Sequence, residues 1–351
     1  MMKLSIIILL VVITNWVTVA QPSNLFEEEA LIEISLSGPI SELMKDRGND
    51  SHYHPLTLTY KSSNVNPTVI PIKVKTRGHF RKLKSNCTYP PLLLNFSSET
   101  TKSTIFENQN KLKLVTACRD DKYVIREYLV YKLYSLITPK SFQVRLVRVV
   151  LEDTGSKSKS SEPFYGILIE DEDEMAKRNH AFSVDGKLVR PEQTQKDDFL
   201  MMATFEYMIG NTDWSVQYLQ NVKLISTDST ALPYTVAYDF DHAGIVGAPY
   251  ALPAAELMLN STRQRRYRGY CIKDMSQFDP VIARFNQLKD EIYKVYSSNV
   301  VDDERYVKAT LKYLDDFYET INNPKRLNYE FDYPCRPDGT GNVVIQGLKK
   351  N

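Results

Sequence analysis

The chain has 351 residues, of which 42% are hydrophobic, and a formal net charge of +1. That length supports a sizeable core in one large domain or two lobes. Near-neutrality leaves no global field to draw the chain to nucleic acid or to a polybasic membrane contact.

Residues 1–20, MMKLSIIILLVVITNWVTVA, contain Lys3, an apolar run from Leu4 to Ile13, and the small residues Thr18 and Ala20 where a signal peptidase reads. The pattern predicts a secretory signal peptide cleaved before Gln21. The run is short for a spanning helix, and no later segment of ~18 apolar residues follows, so no stable membrane span is expected. The expected location is secreted, periplasmic or in the lumen of the secretory route. Four cysteines, Cys87, Cys118, Cys271 and Cys335, then favour disulfides. Three pairings are open, and pairing nearest in sequence joins Cys87 to Cys118 and Cys271 to Cys335. No zinc-type spacing is present: there is no C-x-x-C, and His52 and His54 have no Cys near them. Asn49, Asn86, Asn95 and Asn260 begin N-x-S/T patterns, which matter where the source glycosylates.

In chain order, EEEALIEISLSGP from Glu27 alternates and predicts a strand, and HPLTLTYKSS and TVIPIKVKTRGHFR continue the β character. YPPLLLNF is a further strand, with Pro91 at its start or on an edge, and NKLKLVTACRDD is strand and turn. DKYVIREYLVYKLYSLI has apolar residues at helical spacing, with Asp120 or Asp121 as N-cap and Pro139 beyond its end. FQVRLVRVVLED and EPFYGILIEDED are two strands joined by the polar loop TGSKSKSS. DDFLMMATFEYMIGN predicts a buried helix ending near Gly210. PVIARFNQLKDEIYKVYSS and DERYVKATLKYLDDFYETINN are amphipathic helices. The organisation is a signal peptide (1–20), a β-rich lobe with one long helix (21–170), an α-rich lobe (171–335) and a tail (336–351). The order of strands, one helix, two strands and then helices predicts an α+β, bilobal protein-kinase-like fold with a nucleotide between its lobes.

Four residues sit where such a fold does chemistry. Asp213 follows the buried helix, where its carboxylate accepts a substrate hydroxyl proton. Asn221 lies eight positions on, and its amide oxygen suits magnesium, as does a carboxylate. YTVAYDFDHAG returns a strand with Asp239 and Asp241 at its end, two positions apart and so on one face. Two crowded carboxylates repel unless a cation lies between them.

The stretches TRGHFRKLKSNCTYPPLLLNF, KLKLVTACRDDKYVIREYLVYKLY, VRLVRVVLED with FYGILIEDED, GNTDWSVQYLQNVKL and YDFDHAG resemble the CotH kinase family of exported atypical kinases. They span about residues 70 to 245. The resemblance implies ATP, Mg2+ or Mn2+, and phosphoryl transfer to a Ser or Thr hydroxyl of a protein substrate. It makes Asp213 the catalytic-loop Asp, Asn221 and Asp239 metal ligands with Asp241 a second carboxylate ligand of the metal, Glu127 the helix acid, and Arg77 and Gly78 the opening of a phosphate-covering turn. One departure stands out: where family members commonly show basic residues, this chain reads Leu92, Leu93 and Leu94. The cation that orients ATP then comes from elsewhere. Lys113 is the first choice, Lys111 on the same strand face the second and Lys84 the third. The alternative is a catalytically silent kinase-fold protein serving as a structural or binding partner in a surface or envelope assembly. A hydrolase using the paired acids fits the element order less well.

Overall fold

Alternation of apolar and polar residues sets the first half of the chain. The structure, a computed structural model, describes residues 24–61, 66–155, 159–186, 188–297, 303–333 and 335. The predicted signal peptide and the predicted tail lie outside them. In Ile32–Gly38 (β1), Ile32, Ile34 and Leu36 are buried while Glu33 between them is exposed. A short helix, Ile40–Lys45 (α1), leads to His54–Tyr60 (β2), Thr68–Thr76 (β3), Leu92–Asn95 (β4) and Lys111–Thr116 (β5). Asp121–Ile137 (α2) follows, then Val144–Asp153 (β6), the two-residue Lys159–Ser160 (β7) and Phe164–Ile169 (β8).

These strands do not form the open sheet of a separate lobe. From β1 to β5 each strand pairs antiparallel with the next, β5 pairs with β8, and β8 with β6. β1 then pairs in parallel with β6, from Ile32 opposite Val147 to Gly38 opposite Asp153. The result is a closed, seven-stranded mixed barrel, with β7 a short extension on β6. This overturns the bilobal protein-kinase-like fold expected from element order. The two-residue period of a strand is the same in an open sheet and in a barrel; only the pairing of the first strand with the sixth distinguishes them.

The barrel interior is filled by Leu36, Leu58, Ile70, Leu94, Leu112 and Val149, all fully buried. Gly166 in β8 is required there: a Cβ would stand 2.8 Å from Leu114 Cδ1 and 3.1 Å from the Val115 carbonyl oxygen. The outer faces of β5, β6 and β8 are also covered. Val115, Leu146, Ile167 and Ile169 pack into a core that contains α2 and continues through the helices of the second half. Asp120 caps α2 by accepting the Lys122 N–H, and the helix stops at Thr138, ahead of Pro139. Its sequence is apolar on several sides because it is enclosed on several sides.

The second half contains Glu172–Arg178 (α3), Phe182–Val184 (β9), Lys196–Ile209 (α4), Val222–Ser226 (β10) and Tyr234–Ala237 (β11). Strands β9, β10 and β11 form a small antiparallel sheet with β10 in the middle. Asp279–Gln287 (α5) and Lys289–Val295 (α6) replace the single helix predicted there, because Leu288 leaves helical geometry. Glu304–Ile321 (α7) and Pro324–Phe331 (α8) complete the described elements. Among the described residues, no helix is long and apolar enough to cross a membrane.

Both disulfides join cysteines nearest in sequence. Cys87 bonds Cys118 and Cys271 bonds Cys335, with Cα separations of 4.4 and 4.9 Å. The first ties the turn before β4 to the junction between β5 and α2. Replacing Cys87 and Cys118 together by Ser should lower unfolding free energy by roughly 3–4 kcal/mol, from the loop closed by the bond. Urea denaturation of the oxidised wild type against the double variant measures it, and equal midpoints would refute the expectation.

Candidate functional site

The chain turns sharply after β3. Gly78 takes a φ of +85°, and Phe80–Lys82 forms one 3₁₀ turn that buries Arg81. Arg81 Nη2 donates to Glu127 Oε2 on α2 at 2.7 Å, and Nε donates to Asp241 Oδ2 at 2.8 Å. All three side chains are buried. Burial alone would weaken the proton affinity of Arg81, but Asp241 and Glu127 outweigh it and hold the guanidinium firmly charged. Burial pushes Glu127 up; Arg81 opposes that shift while Asp241 and Asp239 add to it. Burial also acts to raise Asp241, but Arg81, His242 and the facing Tyr250 hydroxyl prevail, and its carboxyl is held low. Phe80, His242 and Tyr250 pack edge-on or tilted against one another around this cluster.

Asp213 arrives from the other side. Gly210 ends α4 in the left-handed conformation at φ +69°, where a Cβ would also collide with the Tyr313 hydroxyl. The Asp213 N–H then donates to Asn211 Oδ1 at 3.0 Å. Asn221 Nδ2 donates to the Asp213 carbonyl at 2.6 Å and to Asp213 Oδ2 at 3.1 Å. Burial raises the proton affinity of Asp213, with Asp241 and Asp239 adding to it against His242 and Arg268.

Asp239 does not lie on a strand, as its spacing from Asp241 suggests. β11 ends at Ala237, and Asp239 adopts φ +61° with its N–H donated to Tyr131 Oη at 2.9 Å. Val222 pairs with Ala237, so Asn221 and Asp239 meet at one end of the β10–β11 pair. Asn221 is also left-handed, at φ +51°. Two neighbouring non-glycine residues in that region are a strained local arrangement of the kind that clusters at functional sites. Burial and Asp241 push the Asp239 carboxyl up, while Arg81, Arg77 and His242 pull it down.

Of the three lysines considered from sequence, Lys113 on β5 lies within the site's field. Its Nζ stands 5.1 Å from the Phe142 ring centroid and 5.0 Å from that of Tyr238. Burial pushes it down to about 8, reinforced by Arg77 and Lys223 and opposed by Glu172 and Asp239. Lys113 is not the partner of Glu127; Arg81 is. Among the described residues, neither Arg77 nor Lys113 makes an ion pair, and both act on Asp239. Gly78 is exposed beside Arg77, and Lys111 and Lys84 are exposed.

The structure thus brings Glu127, Asp213, Asn221, Asp239 and Asp241 together, with Arg77 and Lys113 at the edge. Arg81, His242 and Tyr250 are the members that sequence reasoning missed. Only the position of Arg81, three residues after the Arg77–Gly78 turn, hinted at it. The donor chemistry is of the kind a hard divalent cation takes: the Asn221 amide and the Asp239 carboxylate offer oxygen donors. Asp241 already carries Arg81 on one oxygen. Among the described residues no three His, Cys, Asp or Glu side chains are arranged to hold a metal ion. A groove of about 1060 Å³ opens elsewhere, between the 263–267 segment and α7 and α8. It contains none of these acids, and its Arg265 and Arg326 are both paired with Asp316, so its size does not mark the chemistry.

No model of a known protein family matches this chain, and no curated protein matches it either.

Proposed function

We propose that this chain is an exported, ATP-dependent phosphotransferase of the CotH type, carrying the γ-phosphoryl group to a Ser or Thr hydroxyl of a protein. One observation supports it most: four stretches of sequence bring Arg81, Glu127, Asp213 with Asn221, and Asp239 with Asp241 to one place. Asp213, with its proton affinity raised by burial, is suited to accept the acceptor hydroxyl proton. Arg77 and Lys113 would meet phosphate oxygens, which require cations not already committed to carboxylates. Asn221 and Asp239 would hold Mg2+ or Mn2+, which supplies charge neutralisation on the phosphates. Arg81 fixes Glu127 and Asp241 and keeps α2 against the segment after β11. The leader-like first twenty residues and the two disulfides support an oxidising compartment. A second reading, a catalytically silent binding protein, is favoured by the commitment of Arg81 to two carboxylates, which leaves it no role on a nucleotide.

Thermal unfolding with ATP and magnesium or manganese separates the two. At about 100 times the dissociation constant, ATP should stabilise the protein by roughly 2.7 kcal/mol. In Asp239→Ala that metal-dependent stabilisation should vanish, because the carboxylate facing the cation is gone. A wild-type protein that ignores ATP with either metal, or an Asp239→Ala variant that responds like wild type, would sink the assignment. Transfer of labelled phosphate to itself or to a Ser-rich protein then distinguishes an active enzyme from a silent one.

A further inference from the structure

One face of α2 meets the segment after β11 at three heights. Glu127, Tyr131 and Tyr134 follow one another at intervals of four and three residues, so their side chains stand on the same side of the helix. Glu127 takes Arg81, which reaches on to Asp241. Tyr131 Oη accepts the Asp239 N–H at 2.9 Å, and Tyr134 Oη accepts the Ala237 N–H at 3.3 Å. Both tyrosines are buried, and the Tyr131 ring lies edge-on to Phe240 with centroids 4.8 Å apart. Beyond Ala237 the ladder between β10 and β11 ends. The Tyr238 N–H still finds the Asn221 carbonyl at 3.1 Å, but the Asp239 N–H goes to a side chain.

We propose that Tyr131 is a positioning residue for Asp239: its hydroxyl fixes the left-handed backbone that sets where the Asp239 carboxylate stands. What that carboxylate binds rests on the phosphotransferase reading. A φ of +61° at an aspartate persists only where the surroundings over-determine it. The N–H of such a residue, past the end of a ladder, needs an acceptor that the strand no longer supplies. Tyr131 supplies it from α2, a helix enclosed on several sides, so the turn is referred to a rigid element and not to another loop. Without the hydroxyl that N–H loses its acceptor, the turn is free to relax, and the carboxylate leaves the backbone in another direction. Tyr134 makes the same kind of bond to a different end, because Ala237 is already held opposite Val222 by strand pairing. The two tyrosines therefore provide a matched pair, one bracing the metal-facing residue and one bracing the strand before it.

The test compares Tyr131→Phe with Tyr134→Phe. Each removes one oxygen and keeps the ring, so the Tyr131→Phe side chain still packs on Phe240. Affinity for MnATP is read by water-proton relaxation, and hydrogen–deuterium exchange is followed across residues 237–241. Tyr131→Phe should weaken MnATP binding by about 10-fold, the lower end of what is lost when a group orienting a metal ligand is removed, and should speed exchange at the Asp239 amide. Tyr134→Phe should bind MnATP like wild type and speed exchange at Ala237 instead. Wild-type affinity in Tyr131→Phe, or equal weakening in both variants, overturns the proposal while the phosphotransferase reading stands. A wild-type protein that binds no MnATP overturns both together. The wild type also gives a check that needs no variant: an Asp239 amide that exchanges as fast as one in an exposed turn has no acceptor to lose, and overturns the proposal directly.

Discussion

Replacing Asp213 by Asn is expected to lower phosphoryl transfer by about 10²- to 10⁴-fold, the usual contribution of a general base. Binding of ATP and metal should persist. The substitution keeps the shape of the side chain and an oxygen for the Asn221 amide, which now bonds Asp213 Oδ2 at 3.1 Å. What it removes is the ability to take a proton. Because Asp213 is buried within the field of Asp239 and Asp241, removing one charge also relieves repulsion, so the folded protein should be no less stable. This combination separates catalysis from structure: if Asp213 served only to fix its loop, transfer would be unchanged. Initial rates with labelled ATP, beside ATP-dependent thermal shifts on the same samples, provide the check. A rate indistinguishable from wild type would remove Asp213 from the mechanism.

Arg81→Leu should be the most damaging change to the fold, lowering stability by about 3–5 kcal/mol, the cost of removing one partner from a buried ion pair. Here one cation serves two buried acids, at 2.7 and 2.8 Å, so two carboxylates lose their partner together. Arg81→Lys should fall between, since a single ammonium cannot present the two separate N–H directions that reach Glu127 and Asp241. Adding Glu127→Leu to Arg81→Leu should recover part of the loss, because one of the two stranded charges is then gone. Urea midpoints across this series measure it. A loss for Arg81→Leu no larger than the ~1 kcal/mol typical of an exposed pair would show that the network is solvated rather than buried.

Local elements were legible in the sequence because each depends on nearby residues. The alternation that predicts β1, β2 and β3, the Asp120 cap of α2 and the Gly210 end of α4 all appear where the pattern places them. The disulfides followed from proximity along the chain. The architecture did not follow, because the pairing of Ile32 with Val147 leaves no mark on the sequence near either residue. The short helices α1, α3 and α8 were also missed, having too few turns to show a period. At the site, residues carried by local motifs, Asp213 with Asn221 and Asp239 with Asp241, do converge. The partner of Glu127 was misassigned for a physical reason: Lys113 immediately precedes α2 in the strand order, whereas Arg81 reaches Glu127 across 46 positions through a turn whose geometry is set by Gly78.

Closure of the barrel by β1 and β6 dictates an order of assembly. β1 emerges first during synthesis but its parallel neighbour is made only after β2 to β5 and α2. Until β6 arrives, one edge of β1 presents unpaired backbone groups, and such edges invite pairing with other chains. Contacts this distant in sequence are also slow to form, since the entropy of closing the intervening loop is lost before the pairing repays it. The nascent chain therefore spends its most aggregation-prone interval with the first strand finished and waiting, and the ring gains its protection from intermolecular pairing in a single late step.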